Sequence, residues 1–254
     1  MSPALFGMPF LYRVNRRIDN LQPVEETEKI MPRFVPITFI LTMLATPGAM
    51  AEPPADPHRH SQDVACVPAD GREEQVGCWI ISTLSVNAKA ESPLYWHVLE
   101  LPLTSTPTVA DLAGGQLVQA YGRNWLFMMA GRDWRPNVGR HVATVGPMLP
   151  LTSGPHTASF SAAMFTPGMR SRIHTHPGPE AWVVLEGEQC LETPEGTIRG
   201  AAGDSMMVRS GIPMALFGTG TGIRRALVVI LHPTGELPGK VYNGWKPTGS
   251  CLAL

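Results

Sequence analysis

His174 and His176 stand two residues apart, and Glu180 follows them across Pro177-Gly178-Pro179. On an extended strand, residues two apart point to the same face, so both imidazoles would be presented together. The Pro-Gly-Pro stretch can turn the chain, which lets a neighbouring strand bring the Glu180 carboxylate beside them. Two neutral imidazoles and one carboxylate suit one divalent transition metal: iron, manganese, nickel or zinc. Such an ion keeps positions open for water or substrate and can act as a Lewis acid. Taken alone, the three residues equally describe a strand with two surface histidines and a solvated glutamate. No rival constellation stands out, since the chain has no G-x-S-x-G elbow and no C-x-x-C pair.

The wider frame adds two glycines. Gly168, His174, His176, Glu180 and Gly187 fit G-x5-H-x-H-x3-E-x6-G, and four separate spacings agree. On these residues the chain resembles the cupin superfamily. The resemblance implies a small antiparallel barrel of the jelly-roll kind and a metal held by His174, His176 and Glu180. A second cupin motif is present but worn. Gly203 and Gly211 stand in place, Arg209 replaces a proline, Gly218 replaces an asparagine, and Met214 occupies the fourth-ligand position. A thioether is a soft donor, poorly matched to iron(II), manganese(II) or nickel(II). Three arrangements are therefore open: the metal sits on three ligands alone, His156 or His232 reaches in, or the site is metal-free and Met214 lines an apolar pocket.

Further candidates for the pocket wall are Trp182, which shares the parity of Glu180, Arg172, two residues before His174, and Phe217. No general acid or base can be named. The resemblance leaves dioxygenase, isomerase and lyase chemistry on a small organic molecule all open. The alternative is a non-catalytic periplasmic protein that binds a small ligand or metal without turnover.

These residues need a scaffold, and the sequence predicts one made of strands. Apolar runs separated by turn residues fall at Gly77–Val86, Leu94–Leu101, Gln116–Tyr121, Trp125–Met129 and His141–Val145. They continue at Thr157–Phe165, Arg172–His176, Glu180–Leu185, Gln189–Glu192, Thr197–Arg199, Ser205–Val208, Met214–Phe217 and Arg225–Leu231. Only Thr108–Leu112 reads as a short helix. The expected fold is all-β: a cupin or jelly-roll barrel over 148–236, preceded by a β-rich extension over 66–147 and followed by a tail over 237–254. The extension could alternatively be a degenerate first cupin.

Gly and Pro number 25 each, about a fifth of the 254 residues and well above ordinary usage, which favours short strands and many turns. With 20 Lys+Arg against 21 Asp+Glu, the net charge of −1 offers no basic face for nucleic acid. Phe34–Ala45 is too short an apolar run to span a membrane. With Arg33 before it and Ala49-Met50-Ala51 after it, 31–51 reads as a signal peptide cut after Ala51, with 1–30 upstream of a truer start. The mature protein would begin with a flexible stretch over 52–65 and reside in the periplasm or be secreted. All four cysteines fall in that part, and Cys66 and Cys78 enclose a short loop suited to a disulfide. The expected partner is a small molecule, and a homodimer follows from the resemblance alone.

Overall fold

Strands account for most of the chain from Val67 onward. The computed structural model describes residues 12–15 and 66–252, apart from 91, 106, 109–111 and 113. The expected signal peptide and the stretch 52–65 lie outside the described residues. In chain order the first strands are β1 (Tyr12–Asn15), β2 (Val67–Pro68), β3 (Gly77–Ala88), β4 (Leu94–Leu101) and β5 (Gln116–Ala120). Next come β6 (Arg123–Ala130), β7 (Arg140–Met148), β8 (Gly154–Phe165), β9 (His174–Thr175), β10 (Glu180–Glu186) and β11 (Glu188–Thr193). The last are β12 (Gly196–Ala201), β13 (Asp204–Val208), β14 (Ala215–Thr219), β15 (Arg224–Pro233) and β16 (Lys240–Val241).

Two expectations need correction. Arg172–His176 shrinks to the two residues of β9, and Met214 stands just before β14 rather than inside it. The expected helix at Thr108–Leu112 falls largely on residues not described. Its one described trace is the Leu112 N–H donating to the Thr108 carbonyl at 3.2 Å, a bond of helical spacing.

The pairing defines a jelly roll. One layer runs β8-β15-β10-β13, with every neighbour antiparallel. The facing layer runs β9-β14-β11-β12, its first join made by the His174–Met214 bridge just outside β14. These two interleaved orders are the two Greek keys of an eight-stranded roll. The first layer is then extended. β3 adds antiparallel to β8, β2 runs parallel to β3, and the backbone of β1 pairs with β13.

β16 pairs with β9, and the remaining four strands form a separate sheet in the order β5-β6-β4-β7, laid on the outer face of that extended layer. The extended layer is therefore buried on both sides, and residue parity sorts its side chains. Phe160, Ala181, Val183, Leu227 and Val229 pack against Trp96, Val98 and Phe127 of the covering sheet. Trp182, Met206 and Val228, one residue out of step, fill the interior of the roll. Trp96, Phe127 and Phe160 meet at 5.0–6.2 Å between ring centres, a seam holding the two sheets together. Each fully buried ring contributes roughly 2 kcal/mol or more through apolar burial.

Two disulfides tie the described chain, Cys66–Cys78 and Cys190–Cys251, and no cysteine is free. Disulfides of this number point to an oxidising, extracytoplasmic compartment. Among the described residues no helix is long and apolar enough to cross a membrane.

Candidate metal centre

The centre is assembled by three pieces of backbone. β9 carries His174, which exchanges both backbone hydrogen bonds with Met214, at 3.1 and 2.9 Å. On its other side β9 pairs with β16, Val241 lying opposite His174. His176 follows β9, its carbonyl accepting the Gly211 N–H at 2.8 Å. Glu180 opens β10 in the middle of the layer, opposite Val208 on β13 and Ile230 on β15.

All three side chains are buried, and their donor atoms lie within 4.8 Å of one another. The His174 Nδ1–H donates to the Arg172 carbonyl at 2.8 Å. The His176 Nδ1–H donates to the Pro238 carbonyl. A carbonyl can only accept, so each Nδ1 must carry a proton, and in the neutral ring each Nε2 is left with a bare lone pair. Pinning one ring nitrogen to fix the other for a metal is the usual support of a ligating histidine. His176 Nε2 also approaches Glu180 Oε2 to 2.8 Å, yet the two are not aligned as a hydrogen bond, and neither has another partner. Buried polar atoms without partners are costly, and a cation between them would satisfy both. The donor set therefore fits a divalent transition metal.

The local charges follow from the same geometry. Burial, reinforced by the neighbouring His176 ring, pulls His174 down to about 4, so it stays neutral at ordinary pH. Burial also opposes charge on His176, but the Glu180 carboxylate and the Pro238 carbonyl outweigh it and raise that ring. Arg224, fully buried deeper in the roll, is lowered by burial to about 10, while Tyr121 and Glu180 support its charge.

Beside the three ligands lies a cavity of about 260 Å³. Phe165, Trp182, Val228 and Ile230 supply apolar wall, and Arg72, Trp79 and Arg170 stand among its further lining residues. Of the four residues expected to line a pocket, Trp182 does so. Met214 shares the interior parity but is completely buried in the apolar cluster with Trp182, Met206 and Val208, outside the cavity wall. Phe217 has the opposite parity on β14 and packs outward against Cys190 and Cys251. Arg172 is exposed, because the chain before His174 is not extended strand and the two-residue rule does not apply there. No other described histidine joins the group. The His156 Nδ1–H donates to the Gly154 carbonyl at 3.1 Å, and His232 bonds Ser159 Oγ and the Pro233 carbonyl. Among the described residues the metal-type group has three members.

The tail over 237–254 had no expected role, yet it supplies Pro238. Gly239 lies so close that a Cβ there would sit 3.0 Å from two atoms of the His176 ring. The tail is fastened at its far end. Cys251 is bonded to Cys190 on β11, and the buried Glu192 carboxylate accepts the Gly249 and Cys251 N–H groups and the Thr248 hydroxyl. Arg199 Nη2 adds a bond to the Ser250 carbonyl at 2.7 Å. Cys251 is the legible clue, since one of an even set of cysteines marks a segment that a disulfide can tie down. Replacing both Cys190 and Cys251 by serine is expected to loosen the tail and weaken metal affinity about tenfold through the Pro238 acceptor. Chelator competition checks this, and unchanged affinity would mean that the backbone bonds hold Pro238 without the disulfide.

No protein-family model matches the chain. No curated protein matches it either. Its structural neighbours are cupin-superfamily and double-stranded β-helix proteins at low identity. A cupin superfamily protein from Desulfitobacterium hafniense is 21% identical over 30% of this chain and 67% of its own, with a TM-score of 0.28. A cupin-like protein from Thermotoga maritima is 17% identical over 34% of this chain and 65% of its own, TM-score 0.30. The DMSP lyase DddQ from Ruegeria pomeroyi is 23% identical over 35% of this chain and 45% of its own, TM-score 0.31.

Proposed function

We propose that the protein holds one divalent transition metal, iron, manganese, nickel or zinc, on His174, His176 and Glu180, and acts on a small organic molecule in the adjoining cavity. The observation that carries this reading is the pair of bare Nε2 atoms, each fixed by a carbonyl on its Nδ1, converging with a buried carboxylate. A metal bound there would supply a Lewis acid with positions open to substrate. The chain's own share is to exclude water and orient the ligand: Trp182, Phe165 and Val228 supply an apolar wall beside the donors. Dioxygenase, isomerase and lyase chemistry are all within reach of such a centre.

One observation favours a second reading, metal-dependent binding without turnover. Apart from the three ligands, the cavity walls hold no carboxylate or imidazole among the described residues to move a proton. For the location we propose export by the signal peptide at 31–51, which the two disulfides support.

The test is metal content by mass spectrometry, on the purified protein and on His174→Ala. The expected result is one ion per chain, lost in the variant while the melting curve of the metal-free protein is retained. Absence of metal from the wild type, even after anaerobic reconstitution, would overturn the reading.

A further inference from the structure

We infer that the cavity over the three ligands takes an organic anion, a short apolar body ending in a carboxylate-type group that Arg72 and Arg170 recognise. This rests on the metal-dependent reading and narrows its substrate class.

Charge balance is the first argument. Among the described residues Glu180 is the only carboxylate in the cavity wall, and it belongs to the metal set; Arg72 and Arg170 are the cations. With Glu180 committed to a divalent ion, the wall carries positive charge with no counter-charge of its own. Arg170 makes no ion pair among the described residues. Arg72 has Asp70 at 3.8 Å, but the Asp70 side chain is 77% exposed and its pull is weakened by water. A cationic ligand would be desolvated against two guanidiniums and a metal, and a neutral one would leave their charge unanswered.

Preorganisation is the second. Arg72 lies in a loop closed by the Cys66–Cys78 disulfide. Its Nε–H donates to the Ala69 carbonyl and its Nη2 to the Pro68 carbonyl, both at 3.2 Å. Its guanidinium lies 4.3 Å from the Trp79 ring centre, and the Trp79 indole N–H donates to the Gln75 carbonyl at 2.9 Å. The side chain has thus already given up rotamer freedom that an anion-binding arginine otherwise loses on binding. None of these bonds to described residues uses Nη1. The volume of about 260 Å³ lies just below the usual drug-sized pocket, so the body must be small.

The test compares hexanoate, hexan-1-ol and hexylamine, which share one apolar chain, by calorimetric titration of the metal-free and zinc-loaded full-length protein. Hexanoate is expected to bind about tenfold or more tightly than hexan-1-ol in both forms, as charge-assisted hydrogen bonds would give. Hexylamine should be weakest, and added salt should erode the preference. In the metal-free form, where no ion can attract the carboxylate, Arg72→Met with Arg170→Met should abolish it. Arg170→Gln, at an exposed side chain, should reduce it without touching the loop. Equal binding of acid and alcohol, an unchanged preference in the arginine variants, or binding of none of the three would overturn the inference. A wild type that takes up no zinc would defeat the metal reading instead, and the metal-free comparison would still decide the anion question.

Discussion

Gly178→Ala is expected to break the metal centre and destabilise the whole roll. A Cβ at Gly178 would sit 1.5 Å from the Leu231 carbonyl oxygen and 2.7 Å from its carbon. Both are backbone atoms of β15, so no rotamer change relieves the clash. β15 cannot retreat either, being paired with β8 from Arg224 to Pro233 and with β10 on its other edge. The Leu231 N–H, moreover, donates to the Pro179 carbonyl at 3.1 Å, holding the turn against the strand at the point of contact. The relief must come from the turn itself, which would move Glu180 away from His176. Overpacking of this severity costs about 3 kcal/mol or more. For a domain of this size that is a fall in Tm of roughly 10 °C. Gly222→Ala is the control, since a Cβ there meets nothing within 4 Å and should leave Tm unchanged. Thermal denaturation with metal analysis measures both. A Gly178→Ala protein that melts like the wild type would refute the turn's role in placing Glu180.

That turn also marks how far the centre was legible in the sequence. The spacing of His174, His176 and Glu180 could be read because strand parity and one tight turn are local properties. The apolar runs of β8, β10 and β15 could be read as strands, but not which of their faces met the covering sheet, because both faces are apolar. Parity failed where regular strand ended. Arg172 precedes β9 in non-strand chain. Phe217, inside β14, takes the outer face, opposite to that of its neighbour Leu216. The Pro238 acceptor could not be read at all, because it lies 62 residues from His176 and its position depends on which cysteines pair. The rim was hidden for the same reason: Arg72 reaches the cavity only once β2 and β3 join the edge of the barrel layer.

Glu180→Gln is expected to abolish metal retention and, separately, to destabilise the metal-free protein most strongly in mild acid. The amide keeps the volume, removes the charge and replaces one acceptor oxygen by a donor. Two buried groups depend on that charge. His176 Nε2 lies 2.8 Å from the carboxylate, and the fully buried Arg224 has Nη2 without a partner and, among the described residues, no carboxylate in contact. The Arg224 guanidinium keeps one bond to Gln189 Oε1 at 2.6 Å and one to the Ala163 carbonyl, both neutral acceptors. Removing one partner from a buried charged group costs about 3 kcal/mol or more. The pH dependence has a definite sign. In the wild type the His176 pKa is raised above 6.5, so its contribution is fully present below pH 6.5 and is lost as pH rises through the raised value. In the variant the raising carboxylate is gone and burial, the largest influence, outweighs the remaining Pro238 carbonyl, which puts the ring below 6.5; that protein then loses stability as pH falls. Both trends widen the difference toward acid. Urea denaturation of the two metal-free proteins at about pH 6 and about pH 9 reads it directly. A difference that stays constant across that window would mean the carboxylate does not engage the charged ring, and that Glu180 serves Arg224 and the metal alone.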